Sequence, residues 1–365
     1  MLLVFEARGR YGTPMIARLL VGALHADLLV TVAAPDMATA EWIAAERPGC
    51  QVVAMAPVMT WRSVRALWGY RKLIRRIKPD IVQLTLPAPS SGTRYLALLM
   101  RAMRGVRSVG VQNMYGDIPN RRSRVVTKIA MQALDAHVAI GPSLARIIER
   151  QYALQPGSVR SIPAAITPHV DAMPHRVAPG PVVGVVARLS PEKGIDVLLR
   201  AMARWPEVPL VVVGDGGQRA ELEALARDLG RAGSTWFVGF QRRPQDFIAG
   251  LDLFVLPSRR EGLGLVLLEA MRAELPVVAS DVGGIGDVVD HNVTGILVPP
   301  DNPEVLVDAI GRLLADPELR ARFGVAGRTR LREHFTTEQE ARSYEALYDE
   351  LVPPPTRIRR RSVTS

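Results

Sequence analysis

"PVVGVVARLSPEKGIDVLLRAM", residues 181–202, changes character twice. An apolar run over 182–187 ends at Arg188, a polar loop holding Pro191, Lys193 and Gly194 follows, and a helix is expected to begin near Ile195. An apolar run without polar alternation suits a strand covered on both faces, and strand, loop and helix in succession form one βα unit of a parallel sheet. The pattern recurs toward the C-terminus, with strand candidates at 208–214, 235–239, 252–257, 276–280 and 295–299. Toward the N-terminus a second series lies at 2–5, 28–34, 51–55, 80–84, 108–112 and 136–140. Helical stretches separate the members of both series, so the expected fold class is α/β, with two doubly wound Rossmann-like domains.

Between the two series the Pro-rich stretch 163–181 has no helical period and reads as the crossing between domains. The expected boundaries are an N-terminal domain over 1–167, a linker over 168–181, a C-terminal domain over 182–351 and a basic disordered tail over 352–365. A chain of 365 residues is long enough for two cores. Its single cysteine, Cys50, excludes a disulfide framework and a multi-cysteine zinc site, and the six histidines show no ligand-type spacing, so no metal is expected. Glu6, Arg8 and Arg10 come too early for a signal-peptide core, and no apolar run reaches the ~18 residues that span a bilayer, so no segment is expected to cross a membrane by itself; the lone cysteine makes a reducing cytoplasm the expected compartment. Residues 1–175 hold 22 Lys and Arg against 10 Asp and Glu, whereas 176–365 hold 24 against 26. The front half is therefore the basic half.

In a doubly wound domain, ligands sit outside the carboxyl ends of strands, so the loops after strands carry the site. Arg188 and Lys193 flank the start of a helix, whose free N–H groups and partial positive charge favour an anion such as a diphosphate. A solvated loop with incidental charges is the plainer alternative for this stretch alone. Downstream, SRREGLGLVLLEAM (258–271) sets Glu261 in a loop and Glu269 eight positions later on a helix from about Leu265 to Arg272. Gly262 and Gly264 let a phosphate or sugar oxygen approach the helix start. Glu269 interrupts an apolar series and needs hydrogen-bond partners there, which ribose hydroxyls would supply; an outward-facing helix position is the alternative. The glycines of VGDGG (213–217) lack the dinucleotide-binding spacing.

These stretches form an ordered set: ARLSPEKG, VVGDG, FVGF, LPSRREGLGLVLLEAM with seven residues between its two glutamates, PVVASDVGGIGDVV and TGILVPPDNPEVL. From about Pro181 to Leu351 the set resembles the donor-binding domain of the GT-B retaining glycosyltransferases of family 4, the glycosyl transferases group 1. The resemblance implies a GT-B fold with donor binding over 182–351 and acceptor binding over 1–167. It implies that Arg188 and Lys193 hold the nucleotide diphosphate and Glu269 the ribose hydroxyls. Glu261 and the backbone of Gly262, Leu263, Gly264 and Leu265 would contact the sugar, with Gly239 and Phe240 beside the base. Glu261, Arg188 and Lys193 would carry the catalysis. The implied reaction is metal-independent and retaining, with the nucleotide-sugar as co-substrate and no cofactor.

In the first half the resemblance rests on LDAHVAIGPSLARIIERQY and SVRSIPAAI. The usual Asn-Gly-x-Asp after Ile-Pro is replaced by Ala164, Ala165, Ile166 and Thr167, and Gln83 and either Gln112 or Asn113 stand where the family has histidine. The glycine-rich first loop survives as RGRYGT, with Gly9 and Gly12. Asn113, Tyr115 and Asp117 are candidates for donor or acceptor contact, with turn formation by MYGDIPN as the equal alternative.

The leading expectation is a glycosyltransferase moving a hexose-type sugar, from a UDP-sugar by preference, to a cell-envelope glycan or lipid-linked acceptor. A nucleotide-sugar epimerase or hydrolase on the same fold, and a binding protein that has lost turnover, are the alternatives. TWRSVRALWGYRKLIRRIKPD (60–80) has no acid before Asp80 and reads as an amphipathic basic helix. With the front half's charge it suggests an anionic membrane surface as partner and a peripheral location on the inner leaflet; a solvated basic face is the plainer reading. The basic half lacks aromatic interleaving, so nucleic acid is not expected.

Overall fold

Two parallel sheets organise the chain in the computed structural model, which describes residues 1–5, 12–60, 62–86, 92–103, 105–116 and 120–353. The first sheet contains β1 (Leu2–Val4), β2 (Thr31–Ala34), β3 (Gln51–Ala54), β4 (Ile81–Leu86), β5 (Arg107–Gln112), β6 (Ala136–Ala139) and β7 (Val159–Ser161), in the order β3-β2-β1-β4-β5-β6-β7. Leu3 lies opposite Val32 on one side and Gln83 on the other, so β1 is central. The helices are α1 (Thr13–Ala23), α2 (Met37–Ala44), α3 (Val64–Ile77), α4 (Thr93–Arg101), α5 (Arg121–Gln132) and α6 (Pro142–Tyr152). Connections from β1 to β3 run toward one edge and those from β3 to β7 toward the other. Right-handed crossovers therefore put α1 and α2 on one face and α3 to α6 on the other. The packing of α1 on α2, and of α4 on both α3 and α5, follows this rule. β7 is the strand the sequence reading missed, because it is three residues long, only Val159 is buried, and a proline follows at 163.

The second sheet contains β8 (Val183–Val186), β9 (Leu210–Val213), β10 (Thr235–Gly239), β11 (Leu253–Leu256), β12 (Val277–Ser280) and β13 (Gly295–Val298), in the order β10-β9-β8-β11-β12-β13. Its helices are α7 (Ile195–Met202), α8 (Arg219–Asp228), α9 (Pro244–Ile248), α10 (Leu265–Arg272), α11 (Ile285–Val288), α12 (Pro303–Ala315) and α13 (Pro317–His334). Val183, Val185, Leu198, Leu210, Val212 and Val255 meet in one buried cluster, each contributing about 1.5–3 kcal/mol of hydrophobic stabilisation. Asp316 caps α13 by accepting from the Leu319 N–H, and Pro317 follows at the first helical position, which is why α12 and α13 are separate helices.

The last helix, α14 (Thr337–Leu351), corrects the expected domain boundaries. The chain divides into 1–165 together with the segment from Thr337, and 166–336, rather than at 168–181 and 351. Ala341, Tyr344, Leu347 and Tyr348 form a buried stripe on α14, which packs against α1. The Tyr348 hydroxyl donates to Gln83 Oε1 at 2.6 Å, and Arg160 pairs with Glu350 at 2.5 Å. Nearness in sequence assigned α14 to the second domain, and the fit of its apolar stripe assigns it to the first. The expected tail lies outside the described residues except for Val352 and Pro353.

Candidate active site

In the second sheet the strand order reverses between β8 and β11, which are hydrogen-bonded neighbours. A crevice opens at the carboxyl ends of strands at such a switch point. The loop after β8 carries Arg188 and Lys193, and the loop after β11 carries Glu261 to Gly264. Topology thus brings together stretches about seventy residues apart. Lys193 Nζ donates to Glu261 Oε1 at 2.5 Å, and Ser258 Oγ donates to the same oxygen at 3.0 Å. Glu261 is 8% exposed and Ser258 fully buried, so the carboxylate is held by two donors rather than by water.

Glycines allow the loops to come this close. Gly194 caps α7 at φ 63°, and a Cβ there would stand 2.1 Å from the Pro257 carbonyl oxygen. Gly284 donates its N–H to the Gly262 carbonyl at 2.7 Å, where a Cβ would stand 2.4 Å from the same oxygen. Such contacts fasten the loops after β8, β11 and β12 to one another. Both α7 and α10 begin at this cluster, each preceded by a left-handed glycine, Gly194 and Gly264, without a side-chain cap. Such helix starts carry a partial positive charge that favours an anion.

Arg188 lies exposed in the same loop, with its guanidinium on Glu192 at 2.7 Å. Burial pushes the Glu192 carboxyl up, but its own backbone N–H, Ser190 and Arg188 outweigh it and leave the pKa lowered. Arg259, beside Glu261 in sequence, makes a two-point contact with Asp196 at 2.7 and 2.9 Å and also donates to the Pro191 carbonyl. It braces the loop after β8 from below. Glu269 lies half-buried in the middle of α10 and has no hydrogen-bond partner among the described residues. Burial raises its pKa, against the pull of Arg272. Leu263 is buried and Leu265 half-buried.

Gly239 ends β10 at φ 71°, and its carbonyl accepts from the Gly214 N–H at 2.9 Å. Phe240 follows it, 54% exposed. Arg219, which sequence reasoning did not single out, donates to the Phe237 carbonyl at 3.1 Å and borders Gly239. Ser258 was also missed. Nothing in one sequence separates such an Arg or Ser from surface residues; only the folded loops reveal their partners. Gly214 and Gly216 lie where a Cβ would meet the carbonyls of Ala187 and Leu189 at 1.9 and 2.3 Å, so the VGDGG glycines serve close approach to the loop after β8.

In the first unit, Gly12 caps α1 at φ 63°, and Asn113 Nδ2 donates to Thr13 Oγ1 at 3.2 Å, joining the end of β5 to the start of α1. Asn113 is buried and its Oδ1 has no partner among the described residues. Gln112 is buried and donates to the Met114 carbonyl at 3.0 Å. Gln83 faces Tyr348 in the core instead of a ligand site. Gly9 and Asp117 lie outside the described residues. Among the described residues no group of three or more His, Cys, Asp or Glu is arranged to hold a metal.

Two Rossmann-like α/β units of this topology define the GT-B class. A solved structure of Anabaena Alr3699/HepE in complex with UDP matches 96% of this chain and 99% of its own at a TM-score of 0.79, with 18% identity. Residues 175–330 match the family described as glycosyl transferases group 1. An alpha-D-kanosaminyltransferase from Streptomyces kanamyceticus is 39% identical over 151 residues, 39% of each chain. The lipopolysaccharide core biosynthesis glycosyltransferase LpsE from Rhizobium meliloti is 35% identical over 170 residues, 47% of this chain and 50% of LpsE. The matched stretches thus cover half or less of these relatives.

Proposed function

We propose that this protein is a retaining glycosyltransferase that moves a hexose-type sugar from a nucleotide-sugar, a UDP-sugar by preference, to a cell-envelope glycan or lipid-linked acceptor. The observation that carries the reading is the Lys193–Glu261–Ser258 cluster at the switch point of the second sheet, between the starts of α7 and α10. One N–H of Lys193 is engaged by Glu261, which fixes the ammonium in place and leaves two more donors for a diphosphate. Arg188, exposed on the same loop, closes on the diphosphate by exchanging Glu192 for phosphate oxygens. The helix N-termini add partial positive charge where the leaving diphosphate gains negative charge, which lowers the barrier without a metal. Glu269, half-buried and unpartnered, takes the ribose hydroxyls. The UDP preference is supported by the UDP complex of the Anabaena protein, and the envelope acceptor by the name of LpsE. The location follows as cytoplasmic and peripheral on the inner membrane leaflet, where such acceptors are presented.

The test is a thermal-shift screen with UDP-, GDP- and ADP-sugars, followed by donor turnover with envelope extract as acceptor. The expected results are stabilisation by UDP-sugars and acceptor-dependent release of UDP. Lys193→Ala and Arg188→Ala are expected to slow turnover by about 2–4 kcal/mol and to weaken UDP binding. Lys193→Ala also strands the buried Glu261 carboxylate, so its Tm falls while that of Arg188→Ala holds. Wild-type turnover and affinity in both variants refute the phosphate assignment, and donor consumption without acceptor favours an epimerase or hydrolase.

A further inference from the structure

The helices on the two faces of the first sheet differ sharply in charge. On one face α3, α4 and α5 pack side by side and together contain eleven Lys and Arg and no Asp or Glu. On α6, the next helix, the one acid is Glu149, which is buried and accepts from the Val159 N–H. On the other face α14 carries Glu338, Glu340, Glu345, Asp349 and Glu350 against Arg342. Among the described residues none of the eleven cations has an ion pair with an acid, and nine of them are exposed.

The exposed faces of α3 and α5 are built alike. On α3, Val64 and Trp68 stand one turn apart, each 63% exposed, within the arc that holds Arg71, Lys72 and Arg75. Tyr70, Leu73 and Ile74 fill the opposite arc and are buried. On α5, Val125 and Ile129 stand one turn apart, each 50% exposed, with Arg121 and Arg122 on the same arc, while Thr127, Ala130 and Met131 are buried. Lys72 Nζ lies 5.6 Å from the centroid of the Trp68 ring, so cation and indole present as one amphipathic group. Each helix therefore ends outward in an apolar apex ringed by cations.

From this arrangement we infer that the α3–α4–α5 layer is a docking surface for an anionic lipid bilayer. The inference rests on the peripheral location proposed above and specifies its surface. The cations match anionic headgroups, and Val64, Trp68, Val125 and Ile129 enter the headgroup–acyl boundary, as residues on an interfacial amphipathic helix do. A nucleic-acid backbone complements the cations but leaves the aliphatic apices against phosphate and water, so the bilayer is the better match.

The test uses the full chain with vesicles of phosphatidylcholine alone or mixed with phosphatidylglycerol, at low and high salt. Expected are cosedimentation with the anionic vesicles only, loss at high salt, and about a tenfold or greater loss of affinity in the triple variant Arg71→Glu, Lys72→Glu, Arg75→Glu. Trp68→Ala is expected to weaken binding at any salt. A control with Arg204→Glu and Arg227→Glu in the second unit also lowers net charge and is expected to bind nearly as the parent does. Equal binding to both vesicle types, an unaffected triple variant, or equally tight binding of duplex DNA at the same salt would falsify the docking surface. UDP affinity is measured in the same variants: if vesicle binding fails while UDP binding persists, only the docking surface falls. Failure of UDP binding in the parent removes the transferase reading and leaves the vesicle result to stand alone.

Discussion

Two glutamates eight positions apart occupy different surroundings, and those surroundings divide their roles. Glu261 is engaged by Lys193 and Ser258, whereas Glu269 sits half-buried without a hydrogen-bond partner and with its carboxyl pushed up by burial. A carboxylate kept without a partner on a mostly buried helix is a cost that a bound diol relieves. Glu269→Ala is therefore expected to weaken binding of free UDP by about 1–3 kcal/mol, read by calorimetry. Glu261→Gln keeps the side chain's shape and releases Lys193, so free UDP affinity is expected to hold while turnover falls by about 2 kcal/mol or more. Equal losses of UDP affinity in the two variants contradict this division. Both glutamates were legible in the sequence as an isolated pair of acids among glycines and aliphatics. Ser258, Arg219 and Arg259 were not, because a residue that acts through a neighbour from another strand has no local signature.

The elements of the site are short loops locked by glycine. Gly194 combines a left-handed backbone with a position where a Cβ would stand 2.1 Å from the Pro257 carbonyl oxygen, too close to fit. Gly194→Ala must change φ and separate the loops after β8 and β11, and a cost of about 2–4 kcal/mol is expected, measured by denaturant titration. UDP affinity is expected to fall with it, because Lys193 and the start of α7 move relative to the start of α10. A Tm equal to the parent's would show that the loops are not fastened there. The sequence supplied all the strands of the second sheet, since buried parallel strands are continuous apolar runs. It did not supply β7, whose three residues have one buried side chain and owe their extended form to pairing with β6.

At the scale of the molecule, α14 returns to the first unit and carries Glu340 into it. Glu340 Oε2 accepts from the Ala165 N–H at 3.1 Å, its other oxygen has no partner among the described residues, and Tyr344 and Tyr348 lie close by. Burial raises its carboxyl to about 8. A carboxyl whose pKa is raised on folding leaves stability complete below its unfolded value, near 4.5, and removes it progressively as pH rises through about 8. Glu340→Gln abolishes that titration. Relative to the parent, the variant is expected to gain stability steadily from about pH 4.5 and to level off above about pH 8, up to about 5 kcal/mol in all, by denaturant titration across that range. A constant difference across the range contradicts the assignment. By itself the sequence determined the fold class, the number of sheets and the order of the loop motifs in the second half, because each depends on local periodicity or on residues close along the chain. The tertiary structure alone decided that α14 belongs to the first unit and that Lys193 meets Glu261. It also decided that three acid-free helices share one face. These depend on which surfaces fit once the strands have paired, and side-chain complementarity between distant segments leaves no periodic trace in one sequence.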